Sequence, residues 1–301
     1  ENHRKKISLH YLEKELDDKS FDKELKEKAK EWNKDNEYNI YNLTYKFTEH
    51  IYNRERSKWD CDTTLLESNK NLILTGAPGT GKTYLAKEMA RKLTRDKTGN
   101  IKEENIGFVQ FHPSYDYTDF VEGLRPIKDS NGNIVFERKD GIFKEFCKKA
   151  SEKADEKFVF IIDEINRGEI SKIFGELFFS IDPGYRGEKE KIKTQYQNLL
   201  ENTEDEYKDG FFIPENVYII GTMNDIDRSV ESMDFAFRRR FAFQEITAED
   251  TMDSILYELG DNMNDAVNKM RAINSTLDKL GLNSNYHIGA AYFQKVKNYK
   301  N

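Results

Sequence analysis

Apolar and polar residues alternate along the chain in blocks that predict strands followed by helices. Five short apolar runs have the length of strands, at 71–75, 108–111, 158–162, 217–220 and 241–243. A helix-like pattern follows the first of them, at 84–93. Strands that alternate with helices favour a parallel sheet covered by helices on its faces. We therefore predict an α/β fold, with three layers built on a parallel five-stranded sheet.

Composition divides the chain into three predicted parts. Residues 1–62 mix charged residues with scattered aromatics, and apolar residues recur there at helical spacing, which predicts an N-terminal helical segment or linker. That segment either packs on the following core or is the end of a recognition domain. Residues 63–247 carry the α/β pattern, and 248–301 carry helical patterns at 251–259 and 263–280. The last part is expected to be a small helical lid subdomain, and an incomplete one.

A glycine-rich segment between the first strand and the first helix has the G-x-x-x-x-G-K-T pattern of a phosphate-binding loop. In such a loop, glycines turn backbone N–H groups toward the β-phosphate, and the following helix adds its positive N-terminal end. Lys82 is expected to reach the β- and γ-phosphate oxygens, and Thr83 to ligate Mg²⁺. The residues assigned to nucleotide binding are Gly76, Ala77, Pro78, Gly79, Thr80, Gly81, Lys82, Thr83 and Tyr84.

An acidic pair, Asp163-Glu164, stands at the end of the third strand-like run. The five consecutive large apolar residues at 158–162 fit a strand that is buried on both faces. Open α/β sheets bind ligands beyond the carboxyl ends of their strands. Asp163 is expected to hold Mg²⁺ through water, and Glu164 to orient or deprotonate the attacking water. Together with the loop, the pair predicts hydrolysis of a nucleoside triphosphate.

Longer strings of residues carry a family resemblance. They are Asp163-Glu164-Ile165-Asn166-Arg167, then Met223-Asn224-Asp225-Ile226-Asp227-Arg228-Ser229, and then 234–241 with Arg238-Arg239-Arg240. Shorter matches lie at 110–115, 119–123 and 288–293. Together these strings resemble AAA+ proteins and, more narrowly, the McrB family, the motor subunits of the modification-dependent restriction system McrBC. The resemblance covers roughly residues 65 to 295 and implies an AAA+ phosphate-loop core.

The resemblance also implies roles for individual residues. Asn224 takes the position called sensor 1 and, with Glu164 and Asp227, would position the attacking water. Three arginines are implied to reach the nucleotide of a neighbouring subunit, Arg239 and Arg240 as paired fingers and Arg167 as a further candidate. The family string usually has Thr and Ala between the Asn and the Asp, where this chain has Asp225 and Ile226.

Partners follow from the same resemblance. It implies a homo-oligomeric ring, expected to be a hexamer, that hydrolyses GTP, with ATP as the other nucleotide considered. It further implies a McrC-like nuclease subunit that stimulates hydrolysis, and DNA reached indirectly through that partner or through a recognition domain outside this sequence. A MoxR-like remodelling ATPase with no role in restriction is the alternative, because its phosphate chemistry would look the same. Loss of hydrolysis is disfavoured because Lys82, Asp163, Glu164 and Asn224 are all present.

Charge and composition narrow the class of protein. A net charge of -7 argues against a protein that coats DNA by itself. The apolar runs are far shorter than the ~18 residues that a membrane span needs, and no secretory signal is visible. We therefore expect a cytoplasmic protein without a membrane partner. Cys61 and Cys147 lack metal-ligand spacing and are expected to be reduced thiols.

Two further segments leave alternatives open. An aromatic cluster follows the second strand-like run, and it either forms a pore loop or packs at the edge of the sheet. Its members are Phe111, Tyr115, Tyr117 and Phe120. A long polar insertion lies between residues 181 and 214, and loops of that length are either functional or disordered.

Overall fold

A computed structural model of the protein describes residues 61–200, 207–224, 235–256 and 262–294, together with Lys30, Asp205 and Leu259. The chain forms two compact units. The larger comprises Cys61–Thr251 with Ile273–Gly289, and the smaller includes Met252–Ala272 and the residues from Ala290 onward. The expected helices of 1–62 lie outside the described residues, apart from Lys30, Cys61 and Asp62.

Strands of the larger unit form a sheet and a separate hairpin. In chain order they are β1 Asn71–Thr75, β2 Ile106–Gln110, β3 Glu122–Lys128, β4 Ile134–Asp140, β5 Phe158–Asp163, β6 Val217–Thr222 and β7 Ala242–Glu245. The sheet has five strands in the order β2-β5-β6-β1-β7, and every pair in it is parallel. The predicted α/β fold with a parallel five-stranded sheet is thereby confirmed.

Helices of the larger unit pack on both faces of the sheet. In chain order, the helices of the described residues in both units are α1 Thr64–Asn69, α2 Lys82–Leu93, α3 Tyr117–Phe120, α4 Ile142–Ser151, α5 Ile170–Phe174, α6 Leu177–Ser180, α7 Phe235–Arg238, α8 Met252–Leu256, α9 Met263–Lys279 and α10 Ala291–Gln294. Alternate strand residues face opposite layers, so that Leu72 packs with Met89 of α2, and Phe160 packs with Phe143 of α4. The result is the predicted arrangement of three layers.

The parallel register brings the carboxyl ends of three strands to one edge. Ile162 of β5 lies opposite Gly221 of β6, and Leu74 of β1 lies opposite Thr222 of β6. The next residue of β5 is Asp163, and the segment after β1 is the glycine-rich loop. The glycine-rich loop, the acidic pair and Asn224 therefore start from this edge, as open α/β sheets favour. Arg240 instead precedes β7 at the opposite edge, where its carbonyl accepts from Asn71 at the beginning of β1.

A buried guanidinium secures the opposite edge of the sheet. Arg186 is 5% exposed, and it donates to the side chain of Asn71 and to the carbonyl groups of Ile181 and Val217. Burial lowers the pKa of Arg186 to about 10, since the charged form loses solvation. These contacts join the segment after α6 to the beginnings of β1 and β6.

The antiparallel hairpin of β3 and β4 was not predicted from the sequence. Its base is anchored by Glu122, a buried carboxylate that accepts from Lys144 and Arg138. Burial alone would raise the pKa of Glu122, but the hydrogen bonds and the positive charge of Lys144 together outweigh it, and the pKa of that carboxyl lies below its usual range. Along the hairpin, Ile134 and Phe136 are 71% and 69% exposed. The hairpin is therefore connected to the core at its ionic base, whereas these two apolar side chains of its outer part are exposed.

The aromatic cluster and the polar insertion, for which the sequence left two alternatives each, both contribute to the core. Phe111, Tyr117 and Phe120 are buried beside β2, an edge strand, which confirms packing at the sheet edge for the aromatic cluster. In the polar insertion, the described residues include the buried Tyr207 and Phe211, and Gln197 donates to the carbonyl groups of 207 and 208. The alternative of a disordered loop is therefore wrong for this part of the insertion.

The smaller unit contains short helical pieces. It holds α8, the first part of α9 and α10, and α8 contacts α10. The helical patterns at 251–259 and 263–280 thus correspond to observed helices with somewhat shorter bounds. Within the described ranges, no helix is long and apolar enough to cross a bilayer.

Candidate active site

The glycine-rich loop connects β1 to α2 in a backbone conformation that requires glycine. Gly76, Gly79 and Gly81 have φ angles of 138°, 77° and 86°, a region that residues with a side chain rarely adopt. At Gly76 there is also no space, because a Cβ atom would lie 2.3 Å from the carbonyl oxygen of Ile246. The backbone of the loop therefore requires glycine at these positions.

Lys82 is the first residue of α2, and its side chain lies along the loop. It is 7% exposed, and Nζ donates to the carbonyl oxygens of Gly76 and Ala77 at 2.8 Å each. Thr80 donates to the same Ala77 carbonyl at 3.0 Å, and Thr251 donates to the carbonyl of Thr80. An ammonium group and a helix N-terminus thus lie at the same place, and both favour an anionic ligand.

A short hydrogen bond connects the residue after the loop lysine to the acidic pair. Thr83 Oγ1 donates to Asp163 Oδ1 at 2.6 Å. A hydroxyl and a carboxylate oxygen are the hard donors that Mg²⁺ prefers, and Mg²⁺ usually takes only one or two protein ligands beside phosphate oxygens. The described residues contain no group of three or more His, Cys, Asp or Glu side chains that could hold a metal. Thr83 and Asp163 fit a magnesium site whose remaining ligands would be phosphate and water oxygens.

Glu164 is held in a strained conformation with both carboxylate oxygens bonded. Its φ of 53° is left-handed, which costs a residue with a side chain about 1–3 kcal/mol. Asn224 Nδ2 donates to Oε1 at 2.7 Å, and Arg167 Nε donates to Oε2 at 3.2 Å. The structure thus brings Asn224 to Glu164 and Arg167, which belong to a separate string of the sequence. Asp227 lies outside the described residues.

Thr222, which the sequence analysis did not single out, lies between the two acidic residues. Its hydroxyl donates to Asp163 Oδ1 at 2.7 Å and accepts from the backbone N–H of Glu164 at 3.2 Å. The only indication in the sequence is its place, two residues before Asn224 and just after the apolar run of β6.

The three consecutive arginines differ in their surroundings. Arg238 and Arg239 are exposed. Arg240 is 9% exposed, donates to the carbonyl of Ala236, and lies 4.6 Å from the centre of the Phe178 ring. Of the two assigned fingers, Arg239 is therefore the one that points away from the core, whereas Arg240 is packed within its own chain.

A second backbone segment lies directly against the loop. Gly289 N–H donates to the Pro78 carbonyl at 3.3 Å, and Asn274 fixes the preceding residue, Ile288, by bonding both its N–H and its carbonyl. A Cβ atom at Gly289 would lie 2.1 Å from the carbonyl carbon and oxygen of Gly79. This backbone approach explains why glycine is needed here, which the motif match alone did not.

We expect Gly289→Ala to disturb the loop. The added methyl overlaps backbone atoms that cannot rotate away, and such overpacking typically costs about 1–3 kcal/mol. Both the thermal midpoint and the nucleotide affinity, measured by differential scanning calorimetry and by titration, should fall. Gly184→Ala is the matched control, because its Cβ would meet only Asp182 Oδ1 at 3.5 Å. Equal behaviour of the two variants would contradict this role of Gly289.

Comparison with known proteins agrees with this geometry. Residues 71–241 match the family described as AAA domain (dynein-related subfamily). The chain is 46% identical over 181 residues to the type IV methyl-directed restriction enzyme EcoKMcrB subunit of Escherichia coli K12, covering 60% of this chain and 36% of that protein. It is 29% identical over 207 residues to the type II restriction enzyme BsuMI component YdiS of Bacillus subtilis 168, covering 60% of this chain and 58% of that protein.

These relatives confirm the resemblance to McrB-type AAA+ proteins that the sequence motifs indicated. The chain spans about a third of the length of the first relative and less than two thirds of the second.

Proposed function

Because the chain belongs to the AAA domain family (dynein-related subfamily), we propose that it is the ring-forming nucleoside triphosphatase motor of a modification-dependent restriction or anti-phage complex. One observation carries the proposal of hydrolysis, namely that the Thr83 hydroxyl, Asp163, Glu164 and Asn224 meet at the loop edge of the sheet. Both relatives named above are components of restriction enzymes, which supports restriction rather than remodelling as the process served.

Each residue of the site has a separate role in the proposed reaction. Lys82 offsets negative charge on the β- and γ-phosphates, since its ammonium lies in the loop. Glu164, oriented by Asn224, directs water in line with the γ-phosphate and receives its proton. Mg²⁺ bound at Thr83 and Asp163 would supply positive charge beside the phosphate oxygens. Asp227 is proposed to assist in positioning the water.

We propose that hydrolysis requires a neighbouring subunit. The arginine fingers would neutralise charge that develops on the phosphate in the transition state. Arg239 is exposed and is suited to this contact, and Arg240 adjoins it. Arg167 is a further candidate, although its side chain lies at Glu164 of its own chain. A hexameric ring would place one such boundary beside every nucleotide.

A McrC-like nuclease is the proposed partner, and DNA is reached through that partner or through a recognition domain. The net charge of -7 supports this indirect contact, because strong binding to phosphates needs a positive surface. The test is to measure phosphate release from GTP and from ATP by the chain alone and with the product of a neighbouring nuclease gene. The proposal expects turnover that rises with the partner. If turnover is the same with and without the partner, the result would favour the alternative of a remodelling ATPase.

Nucleotide choice is a separate prediction. We expect GTP to bind more tightly than ATP, since McrB-type motors use guanine nucleotides, whereas the loop itself contacts phosphates and does not distinguish bases. The measurement is displacement of labelled GTP by excess unlabelled ATP, with unlabelled GTP as the control. GTP should displace the label at lower concentration than ATP. Equal displacement by both would reject the preference.

A further inference from the structure

We propose that Thr222 is a positioning residue of the site, whose single hydroxyl aligns the metal-binding acid and the water-directing acid with each other. The inference rests on the proposed hydrolytic function and deepens it. Thr222 does not contact the loop or a phosphate-binding residue through any described hydrogen bond. Its contacts go to Asp163 and to Glu164.

The hydroxyl uses both of its hydrogen-bonding directions. As donor it bonds Asp163 Oδ1 at 2.7 Å, and as acceptor it takes the Glu164 N–H at 3.2 Å. A hydroxyl has one proton to donate and lone pairs to accept, so one oxygen can serve both neighbours. With 2% exposure, Thr222 leaves little room for water to replace these bonds. The orientation of both acidic residues therefore depends on a group from the neighbouring strand.

Asp163 Oδ1 has two hydroxyl donors with different tasks. Thr83 Oγ1 lies at 2.6 Å and Thr222 Oγ1 at 2.7 Å. Thr83 follows the loop lysine and is the residue assigned to Mg²⁺, so its hydroxyl oxygen has a second task at the metal. Thr222 is packed at the end of β6 and has no such task. It is therefore the donor that fixes the Asp163 carboxylate independently of the loop.

Glu164 gains a different benefit from the same contact. Its left-handed backbone, with φ of 53°, persists only where surrounding contacts compensate the strain. The bond from its N–H to Thr222 Oγ1 is one such contact, and it acts on the backbone, whereas Asn224 acts on the carboxylate. Loss of the hydroxyl should therefore affect both the metal and the catalytic carboxylate.

The test compares Thr222→Val, which replaces the hydroxyl by a methyl group, with Thr222→Ser, which keeps the hydroxyl. The probe is Mn²⁺, followed by electron paramagnetic resonance, with whichever non-hydrolysable GTP or ATP analogue the unaltered chain binds more tightly. Groups that orient metal ligands typically contribute about 10–100-fold to metal affinity or activity. We expect Thr222→Val to weaken Mn²⁺ binding by that factor and Thr222→Ser to retain it. Binding of the analogue without metal should be equal in all three chains.

Three results would each overturn the inference. The first is that Thr222→Val binds Mn²⁺ as tightly as the unaltered chain. The second is that Thr222→Ser binds Mn²⁺ as weakly as Thr222→Val, because the loss would then come from packing and not from the hydroxyl. Metal-free binding could also fall in parallel with Mn²⁺ binding. If Thr222→Val does not fold by circular dichroism, Thr222→Ala serves as the variant without a hydroxyl, with the same expectation. An unaltered chain that binds neither analogue would instead reject the proposed function, and the inference with it.

Discussion

Glu164→Gln is expected to lower nucleotide turnover by about 10²–10⁴-fold, the usual contribution of a positioned general base. The amide keeps the shape of the side chain and can still bond Asn224, but it cannot accept the proton of the attacking water. Binding should persist, because Lys82, Thr83 and Asp163 are unchanged. Phosphate release measures the first effect, and calorimetric titration measures the second.

Glu169→Gln is the control for that variant. Glu169 is exposed, and it contacts Lys172 at 3.7 Å rather than any residue of the site. Its turnover should match that of the unaltered chain. If Glu164→Gln keeps its nucleotide turnover, Glu164 is not the general base. Its strained backbone would then have no catalytic explanation.

Arg239→Ala is expected to lower turnover by about 10³–10⁵-fold, the range over which an arginine finger acts. The side chain is exposed, so its removal leaves the core and the nucleotide loop of its own chain intact. Nucleotide affinity and thermal midpoint should stay unchanged. Arg238→Ala is the neighbouring control, because Arg238 lies over Phe243 at 5.1 Å and is not assigned to the finger role.

Arg240→Ala should lower both turnover and stability, since Arg240 packs on Phe178.

Mixing two inactive chains tests whether Arg239 acts across a subunit boundary. In a mixture of Arg239→Ala with Glu164→Gln, some boundaries pair an intact Glu164 with an intact arginine from the neighbour. Partial activity should therefore return. If subunits demonstrably exchange and activity stays at the level of either chain alone, Arg239 does not complete the site of a neighbour.

The elements predicted most accurately are those whose residues are buried on both sides. The run at 158–162 corresponds to β5, and that at 71–75 corresponds to β1, with at most one residue of difference, because the interior of a central parallel strand is continuously apolar. The run at 108–111 was displaced from β2, Ile106–Gln110, since Gly107 interrupts the apolar pattern. A Cβ at Gly107 would lie 2.4 Å from the Phe160 ring, so packing demands glycine there.

The features that were missed depend on contacts between distant parts of the chain. The β3–β4 hairpin has exposed Ile134 and Phe136 and therefore lacks the alternation by which half-buried strands are recognised. The role of Thr222 follows from the pairing of β5 with β6, and that of Gly289 from its approach to Gly79. A local motif does not specify the pairing of two strands or the approach of two backbone segments. The phosphate loop, in contrast, is a contiguous string of residues and can be recognised from the sequence alone.

Calorimetric titration of nucleotide into the unaltered chain and into Lys82→Ala tests the central claim most directly, namely that the loop is a nucleotide site. Charge-assisted hydrogen bonds contribute about 1.5–3 kcal/mol each, so loss of the ammonium should weaken binding by about 100-fold or more. Lys87→Ala, an exposed position on the same helix, should bind as the unaltered chain does. Tight binding by the unaltered chain, lost in Lys82→Ala alone, is the predicted result. Equal affinity in all three chains would contradict the account.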